Sequence, residues 1–349
     1  MILILLDNLK SGGGKVVGIN YLQAASKYKD TLFILPDSED YKEYIIKQKL
    51  QNRVLYYSSN IRRERLNFIK MNKLIKDNKI THVINFTNVP LIFDITPQFL
   101  FLHKAQFLIN IFKTNIQFSM LYRIKTFIEQ LYITLALRFS NIDAVIFQTK
   151  YMEDLFKSKY NTNISTYIVP SGYDFISERK EAPEKFSYFL VPTSNAPHKD
   201  LETFFKVAES LENTNVKFKI TLKKEDINIK KSSFPNIEFL GNVNRIEFET
   251  LLDNSCGIFL STVLESFCLP YIEALSRGRK VITSDLQFAR EVCGEQGYYF
   301  QPHNYKAAKN TIMNFYYKKE WKNFPFNYKN VNIIKWEESF QKIYALTKN

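Results

Sequence analysis

Two carboxylates separated by seven residues, Glu265 and Glu273, open the chemistry of this chain. They lie in the string Glu-Ser-Phe-Cys-Leu-Pro-Tyr-Ile-Glu-Ala-Leu-Ser-Arg-Gly. The apolar run at 257–260 places Glu265 just past the C-terminal end of a predicted strand, the edge where open α/β sheets bind ligands. Pro270 suits the first turn of a helix, where its missing N–H costs nothing, and Gly278 suits the end of that helix. Glu265 is therefore expected on a loop and Glu273 in the opening turn of a helix. A helix start offers free N–H groups and a positive dipole end to a phosphate. A carboxylate beside it can accept hydrogen bonds from two neighbouring hydroxyls, as on a ribose, and a second carboxylate can hold sugar hydroxyls. A nucleoside diphosphate sugar carries all three groups. Alone, Glu273 also fits a plain helix-start charge, favourable by about 0.3–1 kcal/mol.

Three other segments carry candidate chemistry. Lys199 closes Val-Pro-Thr-Ser-Asn-Ala-Pro-His-Lys before Asp200, between a predicted strand and a predicted helix that Asp200 can cap. A lysine there can neutralise a diphosphate and stabilise it as a leaving group. Gly12, Gly13 and Gly14 follow the first apolar run; they let the backbone approach a ligand, with a helix beginning just after them. Their spacing matches neither a dinucleotide fingerprint nor a P-loop, and a tight turn accounts for them equally. His103 directly follows the apolar run 99–102, at a predicted strand end, where a structural role is also open. The four histidines lie far apart, and Cys256, Cys268 and Cys293 form no Cys-x-x-Cys pair. No metal site or disulfide framework is expected, and a reducing cytosol fits.

Apolar runs at 1–6, 31–35, 54–57, 82–86, 99–102 and 144–147 read as buried strands. Amphipathic stretches such as 60–76 lie between them. A second series at 188–191, 217–221, 237–240, 257–260 and 280–283 alternates with helical patterns at 200–211, 245–253, 270–276 and 305–317. This βα alternation argues for two doubly wound parallel sheets in tandem. The boundary is expected at Pro170-Ser171-Gly172-Tyr173-Asp174 and the charged stretch 178–185. The stretch 118–139 repeats apolar residues at helical spacing, Met120, Ile124, Phe127, Leu131 and Leu135, among Arg123, Lys125 and Arg138. It fits an interfacial helix reaching a lipid-linked acceptor, and equally a helix packed on its own sheet.

The 349 residues suit two domains of ordinary size. Hydrophobic residues make up 45% and charged residues 24%, a globular balance. No apolar run reaches the roughly 18 residues of a membrane span, and the start Met-Ile-Leu-Ile-Leu-Leu-Asp reads as a strand rather than a signal peptide. Net charge is +13. Residues 1–170 hold 23 Lys/Arg and 13 Asp/Glu, a net +10, so most of the excess lies in the first half. Such a field suits nucleic acid, anionic lipid or a phosphorylated substrate, or simply a soluble basic surface. No recognisable nucleic-acid-binding module accompanies it.

The Glu-x7-Glu string, with Val281-Ile282-Thr283-Ser284-Asp285, Arg290-Glu291-Val292 and Phe239-Leu240-Gly241-Asn242-Val243, resembles the signature of retaining glycosyltransferases of family 4 and the GT-B fold. These enzymes make lipopolysaccharide, capsule, teichoic and glycolipid sugars. The resemblance is strong over about residues 187–302. It implies an α/β chain of two Rossmann-like domains facing a central cleft: 1–170 for the acceptor and 171–330 for the donor. A helix at 331–349 has the N-terminal domain as one place to pack. Glu273 would hold the donor ribose and Glu265 the transferred sugar. The backbone N–H groups of Phe267, Cys268 and Leu269 would approach sugar and diphosphate, with Ser266, Gly241 and Val243 also lining the donor. Lys199 would neutralise the diphosphate with help from Ser194, since the family's frequent Arg near Thr193 is absent. Gly13 and Gly14 would touch the diphosphate or the acceptor, and His103 the transferred sugar.

Two departures stand out: Ser266 and Cys268 replace glycines common in the family. Glu291 reads as a structural helix-start carboxylate. The expected activity is transfer of a sugar from a nucleoside diphosphate sugar to an acceptor hydroxyl of a glycan or lipid-linked glycan. Configuration would be retained, with no cofactor and no metal, because no Asp-x-Asp motif appears in a metal-binding setting. The expected location is the cytoplasm, at the inner face of the cytoplasmic membrane if 118–139 touches anionic lipid. Nucleic acid is not an expected partner. Rival readings are a catalytically silent nucleotide-sugar-binding partner subunit and a GT-B nucleotide-sugar epimerase.

Overall fold

A computed structural model of the chain describes residues 1–58, 68–91, 96–173, 183–227, 234–322 and 334–348. The expected charged boundary at 178–185 and the amphipathic stretch 60–76 lie partly outside them. The chain forms two compact units: residues 1–114, 120–174 and 334–349, and residues 115–119 with 175–333.

The first unit is a parallel sheet of seven strands in the order β3-β2-β1-β4-β5-β6-β7. Its strands are β1 (Ile2–Leu5), β2 (Thr31–Pro36), β3 (Val54–Ser58), β4 (His82–Asn85), β5 (Gln98–Phe101), β6 (Ile142–Phe147) and β7 (Ser165–Ile168). Helices α1 (Gly12–Ser26), α2 (Glu39–Lys47), α3 (Phe68–Asp77), α4 (Met120–Phe139) and α5 (Lys150–Lys159) connect them. β1 is buried throughout because it is central, paired with β2 and β4 at Ile2↔Thr31 and Ile2↔His82. That double burial is why the central strands read as unbroken apolar runs. β7 was not legible: it is an edge strand, mostly exposed, and its sequence Ser-Thr-Tyr-Ile has no apolar run.

The C-terminal helix α11 (Trp336–Leu346) belongs to this unit. The Ser339 hydroxyl lies 2.9 Å from the Tyr21 hydroxyl and donates to the Pro170 carbonyl at 2.7 Å. Tyr21 also packs edge-on to Trp336. Gly172 bridges to Ile334, and a Cβ there would strike the Trp336 backbone.

One expectation for this unit is corrected: Gly12–Gly14 do not precede the helix; they are its first turn. Of the two readings left open for 118–139, the one that packs its spaced apolar residues on the sheet is overturned, because α4 turns the opposite face inward. Thr126, Gln130, Ile133 and Ala136 are buried, whereas Met120, Ile124, Phe127, Leu131 and Leu135 are exposed. Gln130 is held inside by donating to the carbonyls of Gln106 and Ile109.

The second unit has six parallel strands in the order β10-β9-β8-β11-β12-β13. They are β8 (Phe189–Val191), β9 (Phe218–Ile220), β10 (Ile237–Phe239), β11 (Gly257–Leu260), β12 (Lys280–Ser284) and β13 (Gly297–Phe300). The helices are α6 (Leu201–Ser210), α7 (Arg245–Asp253), α8 (Leu269–Ser276), α9 (Gln287–Cys293) and α10 (Tyr305–Tyr317). Phenylalanines dominate the core: Phe189, Phe204, Phe218, Phe259 and Phe315 are buried together. Phe259 stacks on Phe300 with centroids 5.4 Å apart. Glu291 is the fifth residue of α9, not its start, so no helix-dipole role falls to it.

Candidate donor site

In the second sheet β8 and β11 are neighbours, and the chain continues from them to opposite sides, β8 toward β9 and β11 toward β12. Connections leaving the C-terminal ends of such a pair splay apart and open a crevice for a ligand. Lys199 comes from the loop after β8 and Glu265 from the loop after β11. The structure brings them together: Lys199 Nζ donates to Glu265 Oε1 at 2.5 Å, with side chains only 16% and 14% exposed.

The two loops are stitched to each other. The Val263 N–H donates to the His198 carbonyl at 2.8 Å. The Ser261 hydroxyl lies within reach of the Lys199 and Asp200 carbonyls, and the Thr262 hydroxyl of the His198 carbonyl and Glu265 Oε1. Ser261 and Thr262 escaped the sequence reading, because nothing in a Ser-Thr pair after a strand marks it as a clamp. Asp200 caps α6, as expected: its carboxylate accepts from the Thr203 N–H and hydroxyl.

Burial alone would strip Lys199 of its proton and give one to Glu265. Lys199 is nevertheless held above its ordinary range, because the Glu265 carboxylate outweighs burial. Glu265 is held below its own range, burial being overcome by Lys199 and then by His198. Both groups are thus ionised across the neutral range. Ser194 lies exposed earlier in the β8 loop and does not bond the pair.

Cys268 caps α8 with φ +60°, a left-handed conformation that costs an ordinary residue about 1–2 kcal/mol. That is the physical reason glycine suits this position. Cys268 provides no side-chain cap to the helix; Pro270 has no N–H and the Tyr271 N–H donates to the Cys268 carbonyl at 2.9 Å, so the Leu269 N–H is what the first turn offers another partner. Phe267 and Cys268 are buried, and burial raises the Cys268 thiol well above its ordinary range. Leu269 opens the helix and Ser266 is half-buried before it. Gly278 ends α8 with φ +71°, and the Arg279 N–H reaches back to the Ala274 carbonyl at 2.7 Å.

Glu273 is not in the opening turn, because α8 starts at Leu269 and Glu273 is its fifth residue. The Arg245 guanidinium, at the first position of α7, grips Glu273 Oε1 and also Glu249 Oε1, the latter at 2.6 Å. Burial still dominates and raises Glu273 above the ordinary carboxylate range, with Arg245 offsetting part of that rise. Arg245 was missed by the sequence reading. The available signal was a cation at a helix start, where the dipole disfavours it, just after the capping box of Asn244 and Glu247. Gly241 takes φ +70° at the turn leading into this helix, and Val243 is half-buried beyond it.

In the first unit, Gly12 takes φ +54°, and a Cβ at Gly13 would meet nothing within 4 Å. The first turn of α1 therefore presents open backbone, and Ser11 provides no side-chain cap. Gly14 faces Leu9. His103 follows β5, as expected, and is clamped by Asn88, a residue at φ +64° in the loop after β4. The His103 N–H donates to Asn88 Oδ1 at 2.6 Å, and Asn88 Nδ2 lies 2.9 Å from His103 Nε2. Since Oδ1 is the acceptor, Nδ2 is a donor, so Nε2 accepts and the neutral ring carries its proton on Nδ1. Burial, reinforced by Lys104, lowers the His103 pKa to about 4. Among the described residues no cluster of His, Cys, Asp and Glu could hold a metal ion.

Residues 173–323 match the family model for glycosyl transferases group 1. The O-antigen chain mannosyltransferase RfbU of Salmonella typhimurium (strain LT2) is 24% identical over 203 residues, covering 54% of this chain and 56% of that protein. The chain thus spans little more than half of that relative. Among solved structures, sucrose-phosphate synthase of Thermosynechococcus elongatus superposes with a TM-score of 0.71 at 12% identity, over 99% of this chain and 98% of that one. Anabaena HepE in complex with UDP and glucose gives 0.70 at 15% identity, over 99% of each chain. WaaG, a glycosyltransferase involved in lipopolysaccharide biosynthesis, gives 0.63 at 14%, over 100% and 98%. The two Rossmann-like sheets are those of the GT-B fold.

Proposed function

We propose that the chain transfers a sugar from a nucleoside diphosphate sugar to an acceptor hydroxyl of a cell-envelope glycan. The observation that carries the reading is the ionised Lys199–Glu265 pair at the β8/β11 switch point, beside the uncapped start of α8. On this reading the diphosphate takes over Lys199 and the backbone N–H groups of Phe267, Cys268 and Leu269. Glu265, released from the lysine, accepts hydroxyls of the transferred sugar. Glu273 accepts the ribose hydroxyls, and Gly241, Val243, Ser194 and Ser266 line the remainder. Gly13, Gly14 and His103 belong to the reading through the family resemblance; His103, neutral at pH 7, would serve as a hydrogen-bonding group and not as a cationic acid.

No carboxylate is assigned as a covalent nucleophile. The bond from the anomeric carbon to the phosphate oxygen breaks while the acceptor oxygen bonds to the same face, retaining configuration. The acceptor proton goes to the departing phosphate. Lys199 supplies the positive charge that stabilises the leaving diphosphate, so the step is assigned without a metal.

A lipid-linked acceptor is supported by α4, whose outward face carries Leu121 at 81% and Ile128 at 59% exposure together with exposed Lys125 and Arg138. Apolar residues flanked by bases suit an anionic membrane surface. Among the described residues no helix is long and apolar enough to cross a membrane. Three free, buried cysteines accord with a cytoplasmic setting.

The test incubates the purified chain with a panel of UDP- and GDP-sugars. It reads saturation-transfer signals, released nucleotide and the anomeric configuration of any product. Binding of at least one donor, weakened at least tenfold in Lys199→Ala and Glu273→Ala, is the expected result. Binding of none, or binding indifferent to both substitutions, overturns the reading. Inverted product removes the front-face step, and activity abolished by a chelator removes the metal-free one.

A further inference from the structure

We infer that Arg245 is the positioning residue of the nucleotide subsite: it ties one oxygen of the Glu273 carboxylate to α7 and leaves the other, Oε2, for the donor's ribose hydroxyls. The inference rests on the donor reading above. Its geometry is independent of that reading.

The Glu273 side chain is 8% exposed, and the only hydrogen-bond partner of its carboxylate among the described residues is Arg245, through Oε1. Oε2 has no partner there. A carboxylate that must accept two hydroxyls has to be charged and correctly turned, and burial works against the first requirement. Glu249, also gripped by Arg245, adds like charge nearby.

Among the described residues Arg277 also lowers the Glu273 pKa through space, but its guanidinium is paired with Glu249 at 2.8 Å and Asp253 at 2.6 Å and makes no hydrogen bond to Glu273. Among the described residues, the elements packed beneath α8 bring no cation that pairs with Glu273: β11 is Gly-Ile-Phe-Leu, Lys280 of β12 answers to Glu320, and Arg290 of α9 is tied to Asp285. Arg245 itself is 46% exposed, so it stands at the surface end of this chain of charges. Its place at the first residue of α7 is poor for the helix, whose positive end it faces. Linking α7 to Glu273 accounts for a cation at that position.

The experiment titrates Glu273 directly, with carbon-13 at the glutamate carboxyls and the signal assigned by its absence in Glu273→Gln. Wild type, Arg245→Gln and Arg245→Lys are followed from about pH 4 to pH 9. The expected midpoint rises by about one pH unit or more in Arg245→Gln, a tenfold change in proton affinity, and by less in Arg245→Lys. UDP and GDP serve as binding probes in parallel. Their affinity for Arg245→Gln should strengthen at least about fivefold as pH rises through that variant's own measured Glu273 midpoint, a midpoint higher than in wild type, because only the deprotonated carboxylate accepts both hydroxyls. A midpoint unmoved in both Arg245 variants overturns the inference, whatever the nucleotides do. A midpoint that moves while neither probe binds wild type removes the ribose role and the donor reading together. Should Arg245→Gln not fold, Arg245→Lys keeps its charge and carries the same comparison: it loses the two-acid grip, so an unmoved midpoint again counts against the inference.

Discussion

Removing Lys199 tests the site through stability as well as activity. At 2.5 Å and an effective dielectric constant of about 20, the Coulomb attraction to Glu265 is about 6–7 kcal/mol. Desolvating the two ions cancels several kcal/mol of that, so the pair itself contributes little net stability. Its loss is asymmetric. Lys199→Ala leaves Glu265 buried with only the Thr262 hydroxyl on its oxygen, and breaking such a pair costs about 3–5 kcal/mol. Lys199→Ala/Glu265→Ala removes the stranded charge as well, so it should cost less than the sum of the two single changes by about 1–3 kcal/mol.

The assay is urea unfolding, which leaves ion pairs unscreened. Trp321 in the second unit serves as reporter after Trp336→Phe silences the first unit, these being the only tryptophans. The pH dependence has a definite sign. Glu265 is lowered on folding, so its contribution is present above the ordinary carboxylate range and fades as pH falls through its folded value. Lys199 is raised, so its contribution is present at neutral pH and fades as pH rises through its folded value. Single-mutant costs that add to within about 0.5 kcal/mol in the double mutant would refute the coupling. So would a wild-type advantage over Lys199→Ala that stays constant below the carboxylate range.

Cys268→Gly is expected to change stability by less than about 1 kcal/mol, relief at φ +60° offsetting lost burial, whereas Cys268→Val should cost about 2 kcal/mol or more because a branched Cβ is poorly tolerated there; melting temperatures decide. Asn88→Asp replaces the donor facing His103 Nε2 with a carboxylate, so the His103 pKa should climb from about 4 toward or past the ordinary histidine range. Nitrogen-15 shifts of the ring should report the change, and in the unmodified protein they should show Nδ1 protonated at pH 7. With that low folded pKa, the wild type should lose stability as pH falls from about 6.5 toward 4, since the unfolded chain takes up the proton first. Leu121→Lys with Ile128→Lys should leave the melting temperature within a degree or two, both sites being exposed. The same pair should reduce binding to phosphatidylglycerol vesicles at least about fivefold, and unchanged binding removes α4 as a membrane surface.

The sequence by itself determined most of the element order, because buried parallel strands must be apolar at every position and their loops need turn residues. It also determined the loop position of Glu265, the cap at Asp200 and the helix end at Gly278, all of which depend on neighbours within a few residues. What lay beyond it was every relation across the chain. Lys199 and Glu265, 66 residues apart, meet only because β8 and β11 are adjacent in the sheet. Arg245 reaches Glu273 only because the fold brings the start of α7 within side-chain reach of α8, and no local signal names that partner. The α4 spacing marked an apolar face but not its direction, which was decided by Gln130 finding carbonyls inside the fold. Periodicity records that a helix has two faces; the packing of the rest of the chain chooses which one is covered.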